Sequence, residues 1–107
     1  MGAQYRITNL PEPIDFEDVK DAERRAVQNA KNLLMIKMGE IPYDRQRGFD
    51  TRLYSLPLGE LQGLLMEELD RVMLWEPFVE VVEATILRME ESLVVFEVTI
   101  EVSDNAV

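Results

Sequence analysis

The hydrophobic pattern of this chain changes its period at one short run, Trp75-Glu76-Pro77-Phe78. Before the run, apolar residues recur at helical spacing, namely Leu58, Leu61, Leu65, Leu69, Val72 and Met73. After it, apolar residues alternate with others over Val94–Val102, which is typical of a half-buried strand. Because a proline pushes the residue before it out of helical geometry, a helix must end at Glu76. The sequence therefore predicts a helix that leads directly into strands.

A first helix is predicted from Asp15 to Gly39. Asp15 and Asp18 place negative charge at its start, as a variant of the capping box, and Ile14 and Val19 have the spacing of a hydrophobic staple. Gly39 is a natural stop. Its apolar positions are Val19, Ala22, Ala26, Ala30, Leu33 and Leu34.

The second helix is predicted to open at Pro57, since proline is favoured at the first helical position. Its solvent-facing side is predicted to carry Glu60, Glu67, Glu68, Asp70 and Arg71. Between the helices, the proline and glycine residues of Glu40–Leu56 favour a loop.

The remaining segments predict a small sheet. Gln4–Thr8 has the composition of a short strand, and Phe78–Arg88 and Val94–Val102 would form an antiparallel hairpin around a turn at Met89–Ser92. Two amphipathic helices packed on one face of a small, mainly antiparallel sheet make an α+β fold. We expect one domain over residues 1–107, with a lead-in at 1–13 and a frayed tail at 103–107.

Charge is distributed unevenly along the 107 residues. Residues 1–59 hold nine acids and nine bases, whereas residues 60–107 hold twelve acids and two bases, so the last part carries the whole net charge of −10. That charge disfavours nucleic acid and anionic membranes as partners. The absence of Cys and His excludes thiol nucleophiles, Ser–His triads and Cys/His zinc sites. We expect a soluble protein without a cofactor or a metal.

Three groups of residues are candidates for chemistry or binding. Glu40 with Asp44 or Asp50 could form the carboxylate pair of a glycosidase, although acids are so frequent in this chain that solvated or structural roles are favoured. Arg45, Arg47 and Arg52 could bind phosphate or an acidic partner, or could pair with the neighbouring acids.

The corner and the hairpin form the third group. Trp75 is explained by core packing and Pro77 by the end of the helix, whereas Glu76 is the preferred interaction residue. Glu97 and Glu101, on the face of the sheet that the helices leave open, could limit unwanted strand pairing or could select a basic partner that adds a strand.

The order of these features resembles the baseplate wedge family of contractile phage tails, which includes subunits of type VI secretion baseplates. The resemblance rests on Leu33-Leu34, Gly39-Glu40, Pro42, Gly48-Phe49 and Trp75-Glu76-Pro77, followed by the hairpin, and it spans Asp15–Val102. The family usually continues Glu-Pro with Arg, whereas this chain has Phe78.

The resemblance implies a structural protein, not an enzyme. It implies binding to wedge neighbours and to tail sheath proteins, in the bacterial cytoplasm during assembly and then in the virion tail baseplate, and it carries over Glu76 and Pro77 as functional residues. Together with the candidates named above, the predicted contact residues are Trp75, Glu76, Pro77, Arg45, Arg47, Glu97 and Glu101. We expect an oligomeric assembly in the tail, while the isolated chain could be monomeric. Two alternatives stay open: a peptidoglycan-cleaving enzyme using Glu40, and an acidic decoy of a nucleic-acid-binding protein.

Overall fold

The computed structural model describes residues 3–17, 19, 21–42, 45–90 and 93–103. Two helices, α1 (Arg24–Met35) and α2 (Leu58–Val72), pack on a sheet of three strands: β1 (Ala3–Thr8), β2 (Val79–Glu90) and β3 (Leu93–Val102). The order in the sheet is β1-β3-β2, and both pairings are antiparallel. The predicted α+β fold with a C-terminal hairpin is confirmed.

The alternation along β3 divides the sheet into two faces. The inner face carries Val94, Phe96, Val98, Ile100 and Val102, all buried, in one cluster with residues of both helices. The other side of β3 carries Val95, Glu97, Thr99 and Glu101, and of these only Val95 is fully buried. We call this second side of the sheet the outer face. One periodic pattern thus decides which face receives the helices.

The C-terminal strand lies in the centre of the sheet, not at an edge. The predicted strand near the N-terminus is present, one residue longer than expected, and it pairs with β3 from Ala3↔Val102 to Thr8↔Glu97. Of the two hairpin strands, only β2 is therefore left as an edge. The strands run further into the predicted turn than expected, to Glu90 and from Leu93; Glu91 and Ser92 lie outside the described residues.

The first helix begins nine residues later than predicted. Asp15 does not cap it, because its carboxylate accepts the backbone N–H of Glu17 at 3.0 Å in a local turn. Val19 N–H donates to the Phe16 carbonyl at 3.1 Å, and a 3₁₀ turn at Asp21–Glu23 then leads into α1. The segment packs apolar side chains on the core instead of forming a helical turn. Asp18, the other predicted capping residue, lies outside the described residues.

The same helix ends at Met35, before the predicted stop at Gly39. Ile36 is extended, and its carbonyl accepts the N–H of Phe49 at 2.8 Å. Met38 N–H donates to the Phe49 carbonyl at 2.9 Å, which closes a small ladder. The loop competes successfully with the helix for these backbone groups.

Two buried polar side chains hold the chain that follows β1. Asn9 Nδ2 donates to the Val94 carbonyl at 2.7 Å, and its Oδ1 accepts the N–H of Phe96 at 3.0 Å, so the side chain continues the ladder. Lys31 on α1 donates to the carbonyls of Thr8 and Leu10. Burial lowers the pKa of the Lys31 amine, partly opposed by Glu12.

The chain beyond β3 was predicted to fray from residue 103. Ser103 N–H instead donates to the Phe78 carbonyl at 2.8 Å and fastens the end of β3 to the start of β2. Residues 104–107 lie outside the described residues.

Candidate functional site

The change from helix to strand takes place within a few residues around Glu76. After α2, a 3₁₀ turn covers Met73–Trp75, and Glu76 N–H donates to the Met73 carbonyl at 3.0 Å. Glu76 itself is not helical, with φ −132° and ψ 86°, as expected for a residue before proline. Its carbonyl accepts the N–H of Val79 at 3.1 Å. The predicted helix end at this corner is confirmed.

The Glu76 carboxylate is directed into the molecule. The residue is only 6% exposed. Asn29 Nδ2 on α1 donates to Oε2 at 3.0 Å, and Phe78 N–H donates to Oε1 at 3.3 Å. These bonds satisfy a buried charged group and tie the corner to α1. The carboxylate thus has a structural role, and a partner contact by Glu76 stays a prediction.

Two surface grooves meet at Asn29. One, of about 320 Å³, is lined by Arg47 and Trp75 together with α1 residues. The other, of about 340 Å³, is lined by Arg25, Glu76, Pro77 and Phe78 with further α1 residues. We call the two grooves the corner surface. It gathers four of the seven predicted contact residues, Arg47, Trp75, Glu76 and Pro77.

Apolar side chains are exposed at the same corner. Leu74 is 74% exposed and Phe78 is 42% exposed. The corner therefore presents an exposed aromatic ring at Phe78.

The arginines of the loop have different surroundings. Arg47 is half-buried in the corner surface, whereas Arg45 is exposed and does not line either groove. Arg52 forms two hydrogen bonds of 2.9 Å with the Asp50 carboxylate. The interpretation of this cluster as local ion pairs therefore holds for Arg52.

Glu68 and Arg71 of α2 hold this loop in place, although the sequence predicts both on the solvent-facing side of the helix. Glu68 is buried, accepts the N–H of Asp50 at 2.6 Å, and binds Arg71 through both carboxylate oxygens at 2.7 Å. Arg71 also donates to the carbonyls of Gln46 and Gly48 at 2.6 and 2.7 Å. A signal was present: Glu68 lies seven residues after Leu61 and four before Val72, on the buried stripe itself.

The predicted carboxylate pair is only partly described, because Asp44 lies outside the described residues. Glu40 Oε2 accepts the N–H of Lys37 at 3.0 Å, in the turn that Gly39 enables with φ +92°. The hydrogen bond from Arg52 lowers the pKa of Asp50. A glycosidase acid needs a raised pKa, so Asp50 is unsuited to that role. The enzymatic alternative itself stays a prediction.

Glu97 and Glu101 lie apart from the corner surface, on the outer face. Glu97 is 4.0 Å from Arg6 Nε, and Glu101 accepts a long hydrogen bond of 3.5 Å from Gln4. Within the ranges given above, no three Asp or Glu residues are grouped so that they could hold a metal ion. Nor is any described helix long and apolar enough to cross a membrane.

The chain was also compared with family models, with curated proteins and with solved structures, and none of the three comparisons gave a match. Membership of the baseplate wedge family therefore stays a prediction from the order of the motifs.

Proposed function

We propose that this protein is a structural assembly component of a phage or phage-like contractile tail baseplate. In this proposal it binds neighbouring wedge subunits through the corner surface and provides an attachment point for the tail sheath through its C-terminal hairpin. The family resemblance over Asp15–Val102 motivates the proposal.

The observation that carries it is the concentration of predicted contact residues on one surface. Arg47, Trp75 and Pro77 are separated in sequence by up to 30 positions, yet they line adjoining grooves, one of which also includes the exposed ring of Phe78. Exposed apolar groups rimmed by polar ones are typical of protein–protein interfaces, and aromatic and arginine side chains dominate their energetics.

The hairpin supports the second part of the proposal. Within the described sheet, β2 pairs with β3 only, so its far side is an edge. Between the two irregularities of β2, the N–H and C=O groups of this edge can accept a short strand from another chain.

The test is binding to the wedge and sheath proteins encoded beside this gene. The double variant Leu74→Ser/Phe78→Ser removes exposed apolar groups at the corner, and we expect it to weaken wedge binding by about tenfold. Leu58→Ser/Leu64→Ser removes a matched exposed pair from α2 and should leave binding unchanged. If the unaltered protein binds neither the wedge nor the sheath proteins, the proposal is wrong.

A further inference from the structure

The outer face carries two exposed apolar side chains, each at an irregularity of β2. Val81 opposes Ile100 and Glu83 opposes Thr99, so Val82 is an extra residue in the strand. Leu87 is a second extra residue, between Ile86 and Arg88. Val82 is 45% exposed and Leu87 is 53% exposed. A bulge re-aims side chains and disrupts the ladder locally.

The acids around Val82 have no ionic partner among the described residues. Glu80 lies directly opposite Glu101 in the register, and Glu83 follows Val82. Like charges at directly opposed positions destabilise a sheet. Among the described residues, none forms an ion pair with Glu80, Glu83 or Glu101. The two arginines of the outer face lie near other acids. Arg88 binds Glu90 at 2.8 Å, and Arg6 lies near Glu97.

The shape of β2 also limits what can bind here. Two bulges interrupt the regular spacing of its edge, which disfavours addition of a long strand over this part of the hairpin. A second copy of the same chain would bring another net charge of −10 and is disfavoured by repulsion. A positively charged surface that docks on the outer face needs no regular strand edge and is not repelled by the acids.

We propose that an outer-face patch, made of Glu80, Val82, Glu83, Leu87 and Glu101, docks a basic amphipathic surface of a partner protein. Lysine or arginine side chains of the partner pair with the three acids, and its apolar side chains cover Val82 and Leu87. Such pairing removes the repulsion between Glu80 and Glu101 and speeds association at low salt. This inference deepens the proposed function and rests on it only for the partner's identity as a baseplate or sheath subunit.

The experiment uses the full chain and a short helical peptide in which lysines form one face and leucines the other. Peptide-induced shifts of the backbone amide signals are followed by NMR at low and high salt. We expect them to concentrate on Val79–Arg88 and on residues 99–101, and to disappear at high salt because the charges are then screened.

Three double variants decide the matter. Glu80→Gln/Glu101→Gln and Val82→Ser/Leu87→Ser should each weaken peptide binding by about fivefold, as expected for two exposed contacts. Glu60→Gln/Glu67→Gln removes the same charge from the exposed side of α2 and should have little effect. The native spectrum of each unbound variant serves as the folding control.

The inference is overturned if the shifts map to α2, or if the two glutamine variants weaken binding equally. The wedge and sheath proteins form a separate arm. If they fail to bind the unaltered chain, the proposed function is wrong even where the peptide maps to the patch. If they bind and Glu80→Gln/Glu101→Gln does not weaken them, the patch has no role in the baseplate.

Discussion

The loop before α2 and the outer face of the sheet use charge in opposite ways. Around the loop, Asp50 binds Arg52, while Glu68 and Arg71 of α2 bind each other and the backbone of the loop. On the outer face, Glu80 and Glu101 oppose each other in the register and repel. The loop charges thus stabilise the fold, whereas the opposition of Glu80 and Glu101 works against it. The amino-acid composition does not distinguish the charges that bind within the fold from the charges that oppose each other.

The largest expected effect comes from Gly48, whose conformation allows the loop to reach α1 and Arg71. Its φ is +95°, and a Cβ there would overlap the Ile36 carbonyl. We expect Gly48→Ala to lower the free energy of unfolding by more than about 2 kcal/mol, through strain and the lost Ile36–Phe49 pairing. Urea denaturation followed by circular dichroism measures it.

Gly63→Ala is the control for that change, since a Cβ at Gly63, inside α2, meets nothing within 4 Å. It should raise the free energy of unfolding by about 0.5–1 kcal/mol because alanine is the better helix former. Equal effects at the two glycines would show that the loop is not held as described.

Glu68→Gln tests the charged network of the loop directly. It removes the charge that binds Arg71 and the N–H of Asp50, and we expect a loss of about 2 kcal/mol of stability, as for hydrogen bonds to charged groups. Glu67→Gln alters the neighbouring exposed acid and should stay within about 0.5 kcal/mol. Chemical denaturation measures the free energy of unfolding of both variants. A similar loss of stability at both positions would contradict the role of Glu68 in holding the loop.

The pH dependence of stability is expected to depend on the loop carboxylate Asp50. The hydrogen bond from Arg52 holds the pKa of Asp50 below its ordinary value of 3.8. A carboxyl group with a lowered folded-state pKa stabilises the protein above its unfolded pKa, and this contribution is lost as the pH falls through the folded value. We expect Asp50→Asn to flatten the fall in thermal stability below about pH 4. The exposed Asp70→Asn should leave that profile unchanged.

The smallest effect is expected on the outer face. Glu101→Gln removes the repulsion with Glu80 and should raise the free energy of unfolding by about 0.2–0.5 kcal/mol at low salt. The gain should vanish at high salt because of screening. Thermal melts at two salt concentrations measure it. A clear loss of stability instead would show that this acid does serve the fold, and the contrast with the loop would then fail.

Much of the fold was predictable because it depends on local periodicity. The stripe of α2, the alternation of β3 and the proline at the corner each specify an element independently of distant residues. The start and end of α1 were wrong, because turns around Phe16 and the Ile36–Phe49 pairing compete for its terminal backbone groups. Such competition depends on residues that are far apart in sequence.

The candidate site shows the same division. The corner was predictable from Trp75-Glu76-Pro77, but the closeness of Arg47 to Trp75 depends on how the loop folds back against α1. The burial of Glu76 was not predictable either, since Asn29 is 47 positions away. The burial of Glu68 could have been inferred from its place on the apolar stripe of α2, but its partners could not.

Local patterns along the chain specified the α+β class, the helix-to-strand corner and the location of the net charge in the last 48 residues. The three-dimensional fold set which of those charges bind within the molecule. It did so by inserting β3 between β1 and β2, which leaves β2 at an edge, and by folding the loop onto Glu68 and Arg71. The physical reason is that periodicity is a property of neighbours along the chain, whereas the pairing of charges depends on distances in space.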